Sequence, residues 1–150
     1  FIQGYRVLLS KEQTSNVISK KLIYFPFLSF RVGNKKNSIY SKLLSKLFSN
    51  KNNHLRGAKT CNMSFYLKDC LNINGFNNDF EGWGREDSEF VSRLINNGVK
   101  RKNIRFCAIQ YHLWHNESSK ESLIQNHEML EASIKNNMKW CANGINTNES

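Results

Sequence analysis

Gly82-Trp83-Gly84-Arg85-Glu86-Asp87-Ser88-Glu89 is the stretch on which the reading of this chain turns. It opens an amphipathic segment predicted to be helical from about Arg85 to Asn97, with Gly98 as its C-terminal stop. The N–H groups at a helix start carry partial positive charge, so Glu86 and Asp87 have an ordinary capping role open to them. Helical geometry still separates the acids. Asp87 shares a face with Phe90, Val91 and Leu94, so its carboxylate points along the apolar side, toward the core or a cleft floor. Glu89 precedes Arg93 by one helical turn and is expected to form a solvated salt bridge with it. A carboxylate aimed inward at the mouth of a helix is a candidate general base for a hydroxyl. Trp83 sits between two glycines, a hinge that makes its ring a candidate mobile platform.

Working outward, Asn74-Gly75-Phe76-Asn77-Asn78-Asp79 is turn chemistry, because Gly, Asn and Asp tolerate left-handed backbone. A helical turn is expected at Lys68–Ile73, a short strand at Thr60–Tyr66 and a loop at Asn50–His54. In Ser38–Ser49, Ile39, Tyr40, Leu43, Leu44, Leu47 and Phe48 recur at three- and four-residue spacing, with Lys42 and Lys46 on the other face. The ordinary reading is a helix packed on the core; flanking Lys35, Lys36 and Lys51 keep a membrane-surface helix open. Phe1–Leu9 reads as a strand with Gly4 as a bulge, and Leu22–Phe30 is a second apolar piece. Downstream come a strand over Arg105–Trp114, a long helix over Ser118–Met138 and a frayed final ten residues. Helices and strands alternate, which indicates a mixed α/β layer structure in one domain spanning residues 1–150.

Tyr111-His112-Leu113-Trp114-His115 ends the second of those strands. Imidazoles three residues apart point to opposite faces of a flat strand, so both reach one metal only where the chain turns. A zinc site from Cys107, His112 and His115 lacks a standard second ligand pair.

The chain carries 22 Lys+Arg against 12 Asp+Glu over 150 residues, a formal charge of +10. Residues 1–60 hold 12 Lys/Arg and only Glu12 as an acid, while residues 61–150 hold 10 basic and 11 acidic residues. A basic front with a balanced back points to a local anionic partner and not to general nucleic-acid binding. Zinc-finger spacing, RNP aromatics and a Gly-rich phosphate loop are all missing from the sequence. Ten Phe and three Trp are too many large apolar groups for a disordered chain. Leu22–Phe30 is too short to cross a bilayer. The four cysteines form no C-x-x-C pair and are expected to be reduced.

Asn74-Gly75-Phe76, Gly82-Trp83-Gly84-x-Glu86-Asp87 and His112-x-x-His115 together resemble the C-terminal galactosyltransferase-type domain of GT-A-fold glycosyltransferases. These are the bacterial family 2 enzymes and, more distantly, the animal β1,4-galactosyltransferases. The likeness extends to Gln3-Gly4-x-Arg6-Val7-Leu8-Leu9 and Cys61-Asn62-Met63-Ser64-Phe65. It implies the C-terminal part of a GT-A nucleotide-diphospho-sugar transferase fold, a mixed sheet flanked by helices.

By that resemblance Asp87 is the base for the acceptor hydroxyl and Glu86 helps hold the acceptor sugar. Trp83 and Gly84 lie on a loop that closes over the donor, Cys61 and Asn62 border the donor sugar, and Arg6 belongs to the substrate-binding set. His115 is the metal ligand, with His112 as the alternate. The implied cofactor is a divalent cation, Mn²⁺ or Mg²⁺, shared with a D-x-D motif. No D-x-D occurs in this sequence, and the family places it before Phe1 with the nucleotide-binding half. These residues are therefore expected to be a fragment that does not turn over substrate alone. Arg85 stands where the animal motif has glycine, and Thr60-Cys61 where it has a glycine pair, so donor and acceptor identity do not carry over. The implied activity is an inverting, metal-dependent hexosyltransferase. It would move a hexose such as galactose from a nucleotide-sugar, UDP-linked by expectation, to a saccharide or glycolipid acceptor in bacterial surface polysaccharide or lipopolysaccharide synthesis. The expected place is the cytoplasm at the inner face of the membrane, with peripheral contact through 35–51 and no nucleic acid. The alternative is a non-catalytic basic module binding an anionic glycan or membrane surface.

Overall fold

A computed structural model describes residues 1–19 and 34–146; the apolar piece Leu22–Phe30 lies outside the described residues. The elements in chain order are β1 (Ile2–Gln3), β2 (Tyr5–Leu8), α1 (Lys11–Ile18), α2 (Lys42–Phe48), β3 (Asn50–Asn52), β4 (Met63–Ser64), α3 (Leu67–Asn72), α4 (Glu86–Asn96), β5 (Arg101–Asn103), β6 (Ile109–His112) and α5 (Leu123–Lys135). Short 3₁₀ turns cover Lys35–Ser38 and Thr60–Asn62. A four-stranded sheet runs in the order β3-β5-β1-β4, and β2 pairs with β6 in a separate parallel ribbon. The fold is thus mixed α/β, as the alternation of elements predicts. No helix among the described residues is long and apolar enough to cross a membrane.

Several expected elements differ in extent. The strand read over Phe1–Leu9 breaks at Gly4, and its halves join different sheets. The segment read as a loop at Asn50–His54 begins with β3, and Thr60–Tyr66 opens with a 3₁₀ turn at Thr60–Asn62, with only Met63–Ser64 paired. Arg105–Trp114 is strand only at Ile109–His112, because Phe106 and Ala108 take φ of 58° and 50°, values no strand accommodates. Helix α1 escaped the apolar pattern but carries a full capping box: Ser10 Oγ accepts from Gln13 N, and Gln13 Oε1 accepts from Ser10 N.

The chain divides into two compact units. The first comprises Phe1–Ile2, Lys51–Lys102 and Ser118–Ser150. Its core is Ala58, Cys70, Ile73, Phe90, Val91 and Leu94, with Phe1, Met63 and Phe65 packed against it. Phe90 stacks on Phe76 at 4.0 Å between centroids and meets Phe65 at 5.1 Å. Arg101, also buried, donates to the carbonyls of His54, Arg56 and Gly57 and so shapes that loop.

The same core contains charge. Arg93 Nε and Nη2 donate to Glu89 Oε1 and Oε2 at 2.6 and 2.8 Å, both side chains being almost wholly buried. Ser133 of α5 donates to Glu89 Oε1 at 3.3 Å, and Arg93 also donates to the Ile73 carbonyl. The Glu89–Arg93 pairing is the one expected from spacing, but its setting is not solvated. Helix α5 covers that face, and each charge survives burial because its remaining bonds are satisfied.

Of the final ten residues expected to fray, those described, residues 141–146, are instead anchored. Asn74, fully buried at φ 64°, donates through Nδ2 to the carbonyls of Cys141 and Asn146 at 2.8 and 2.9 Å, and accepts from Asn146 N. Gly144 passes so close that a Cβ there would meet the Asn74 carbonyl oxygen at 1.8 Å. Cys141 is buried beneath this crossing, which pushes its thiol pKa up. All four cysteines are free.

The second unit comprises Gln3–Asn50 and Asn103–Glu117. Val7 and Leu9 form its small core with Ile109, and the register places Val7 opposite Tyr111 and Leu8 opposite His112. Helix α2 begins later than expected, at Lys42, with Ser41 Oγ capping Leu44 N at 3.2 Å. None of its residues is buried, so it is not the core-packed helix that its apolar spacing favours.

Candidate active site

Of the residues singled out from sequence, Cys61, Asn62, Trp83, Gly84, Glu86 and Asp87 lie in the first unit; Arg6, His112 and His115 lie in the second.

In the first unit the Gly82–Arg85 loop delivers the acids. Gly82, Gly84 and Arg85 take φ of 70°, 104° and 78°, so three of these four positions need the conformations glycine reaches most easily. Arg85 occupies the N-cap of α4 in left-handed backbone without a side-chain cap bond, which accounts for the helix starting at Glu86. The glycines also serve close approach. A Cβ on Gly82 would meet Ser122 Oγ at 2.8 Å, and one on Gly84 would meet Leu123 Cδ1 at 3.0 Å. Buried Asn126 on α5 donates to the carbonyls of Glu81 and Gly84 at 3.0 and 2.9 Å. The loop around Trp83 is therefore held at both ends, and its glycines meet conformational and steric demands rather than a hinge alone. The Trp83 ring is partly exposed, with Lys120 Nζ 5.2 Å from its centroid.

Asp87 is half-buried on the first turn of α4, and the face it shares carries the buried Phe90, Val91 and Leu94, as the helical spacing predicts. Its Oδ1 accepts a hydrogen bond from the Thr60 hydroxyl, next to Cys61 and Asn62 on the 3₁₀ turn. Glu86, also half-buried, has an Oε2 atom shielded from solvent with no hydrogen-bond donor among the described residues. A shielded carboxylate oxygen without a donor is costly and is usually accounted for by function or a bound group. Two positioning residues, Thr60 and Asn126, were not foreseen from sequence. Thr60 lies 27 residues from its partner, and a polar residue within α5 looks like any solvent-facing one until its burial is known.

In the second unit Arg6 lies half-buried on β2 opposite Gln110, its carbonyl accepting from Asn37 Nδ2 at 3.1 Å. The chain leaves β6 at His112 and turns, so that His115 Nε2 comes within 3.1 Å of His112 Nε2. Two contacts with α1 fix that turn: Trp114 N donates to Thr14 Oγ1 at 2.8 Å, and Lys11 Nζ lies 5.0 Å from the Trp114 ring centroid. His115 Nδ1 is 2.8 Å from the Asn116 carbonyl. A carbonyl only accepts, so Nδ1 carries the proton and a neutral His115 presents its Nε2 lone pair. No group of three or more His, Cys, Asp or Glu able to hold a metal occurs among the described residues.

A family model described as the N-terminal domain of galactosyltransferase matches residues 44–116, just under half of the chain. The match contains Thr60, Cys61, Asn62, Trp83, Gly84, Glu86, Asp87, His112 and His115 but neither Arg6 nor Asn126, and its description reads N-terminal where the motifs resemble a C-terminal domain. No curated protein matches, and no solved structure matches. At the coarse level the match supports a glycosyltransferase.

Proposed function

We propose that this chain is the acceptor- and metal-side part of an inverting GT-A glycosyltransferase that moves a hexose from a nucleotide-sugar to a saccharide acceptor. The observation that carries the reading is the Gly82–Asp87 loop inside the matched segment, with an unsatisfied, shielded carboxylate oxygen on Glu86 beside Asp87. Glu86 Oε2 accepts from a hydroxyl of the acceptor sugar, which supplies its missing donor. Asp87 takes the proton of the attacking hydroxyl while the new bond forms at the anomeric carbon. The bond to the nucleoside diphosphate breaks on the opposite side, which inverts that carbon. Thr60 holds Asp87 in place, and the partly exposed Trp83 ring gives the sugar a face to stack on.

The divalent cation that such transfer implies, Mn²⁺ or Mg²⁺, fits the second unit as a two-ligand contribution. Two ligand atoms at adjacent positions of an octahedral ion, about 2.1 Å from it, stand about 3 Å apart, and the two Nε2 atoms, in hydrogen-bond contact with each other, are 3.1 Å apart. The Nδ1–H of His115, tied to a carbonyl, orients the ring as metal-binding histidines usually require. His115 and His112 would hold the ion with ligands from a D-x-D segment outside this sequence. When bound, it would neutralise charge on the departing diphosphate. Bacterial surface polysaccharide or lipopolysaccharide synthesis is the proposed setting.

The test is Asp87→Asn in the full protein, with transfer and donor binding measured separately. Loss of transfer by about 10²–10⁴-fold with donor binding kept is expected; transfer at the wild-type rate would remove Asp87 as the base.

A further inference from the structure

The second unit carries a feature that glycosyl transfer does not use. Tyr40, Leu43, Leu47 and Phe48 are 63%, 68%, 66% and 51% exposed on and beside α2. Large apolar side chains clustered this way on a surface mark an interaction site and are not ordinary scatter. Alongside lies a cavity of about 200 Å³ lined by Tyr5, Lys36, Asn37, Ile39, Arg105 and Phe106. The 105–106 segment that forms its wall is fastened to both ends of α2. Phe106 O accepts from Ser41 N at 2.9 Å, Arg105 N donates to Ser49 Oγ at 3.1 Å, and the Phe106 ring meets Phe48 edge-on at 5.8 Å. Phe106 holds this position at φ 58°, and backbone strain in a bulky residue collects where structure serves binding.

The charge around the patch selects its occupant. Among its described residues this unit holds seven Lys/Arg against two acids, Glu12 and Glu117, and Lys42 and Lys46 sit on α2 itself. A second copy would bring like charges face to face across a self-complementary interface. Nucleic acid would leave the leucines without a partner. An anionic lipid surface satisfies both, since acyl chains take the apolar residues while phosphates meet the cations. We propose that this face docks on an anionic phospholipid bilayer. Tyr40, Leu43, Leu47 and Phe48 enter the headgroup boundary, and a lipid phosphate occupies the cavity of Lys36 and Arg105. Binding is reversible, because a two-turn helix buries too little apolar surface to anchor without the charges.

The experiment is flotation of the full protein with vesicles of phosphatidylcholine alone and with phosphatidylglycerol added. Binding is expected only to the anionic vesicles, weakening as salt rises. Lys36→Gln and Arg105→Gln should each weaken it about fivefold. Leu43→Ser with Leu47→Ser should weaken it roughly tenfold or more. Inorganic phosphate at moderate concentration should not displace the protein, since a free ion lacks the apolar half of the contact. Circular dichroism of the variants should be unchanged, because all four side chains are exposed. Equal binding to both vesicle types, no binding, displacement by phosphate, or a dimer that the leucine changes dissolve would each overturn the proposal.

Discussion

Helix α4 buries every residue from Glu89 to Leu94, whereas α2 buries none. Both helices have apolar residues at helical spacing, and both carry charge among them. In α4 even the charges are inside: Glu89 and Arg93 close on each other, and Ser133 and the Ile73 carbonyl complete the network. In α2 Leu43, Leu47 and Phe48 are exposed to water, as are Lys42 and Lys46. Periodicity therefore locates a helix and its stripe but does not say whether the stripe meets a core. What covers α4 is a later helix whose contact residues Asn126, Leu130 and Ser133 are mostly polar and leave little apolar signal.

The contrast can be broken most severely at Glu89. Glu89→Leu leaves Arg93 charged and buried without its carboxylate, and should cost about 3–5 kcal/mol of unfolding free energy in urea titration. A cost below 1 kcal/mol would mean that water reaches the pair. Asn126→Ala leaves two carbonyls of the Trp83 loop without their donor and should cost about 1–3 kcal/mol. It should also make limited proteolysis near Trp83 faster. Arg85→Gly relieves left-handed backbone at the head of α4 and should stabilise by about 1 kcal/mol, a gain that disappears if φ at this position is in fact negative. At the small end, Leu43→Ser on α2 should change stability by no more than about 0.5 kcal/mol. A large loss there would mean that α2 is packed after all.

The first turn of α4 is legible because it is locally encoded. Two glycines in left-handed backbone, two acids at the helix mouth and an apolar triad behind Asp87 lie within thirteen residues of sequence. His112 and His115 were legible as a pair, but their approach to 3.1 Å depends on the chain turning after β6, which Thr14 fixes from a distant helix. Short strands were the hardest to read. β1 and β4 span two residues each, too few for alternation to register. Helix α1 was readable in principle through its Ser10–Gln13 capping box, but its apolar pattern is weak. The Asn74 anchor was hidden for another reason. Asn-Gly suggests a free-standing turn, and only the close passage of Gly144 shows what its side chain holds.

That crossing also bears on the order of events during synthesis. The turn after α3 leaves the ribosome 67 residues ahead of Cys141, whose carbonyl receives the Asn74 amide. Until then the Asn74 side chain has only water to bond, and Ile73, Asn74 and Phe76 lack the thiol that later lies across their carbonyls. Helix α5, which restrains the Trp83 loop and closes over Glu89, also emerges late. A nascent chain halted before Ser122 would thus carry the Trp83 loop without the Asn126 amide and the Glu89–Arg93 pair without the helix that covers it.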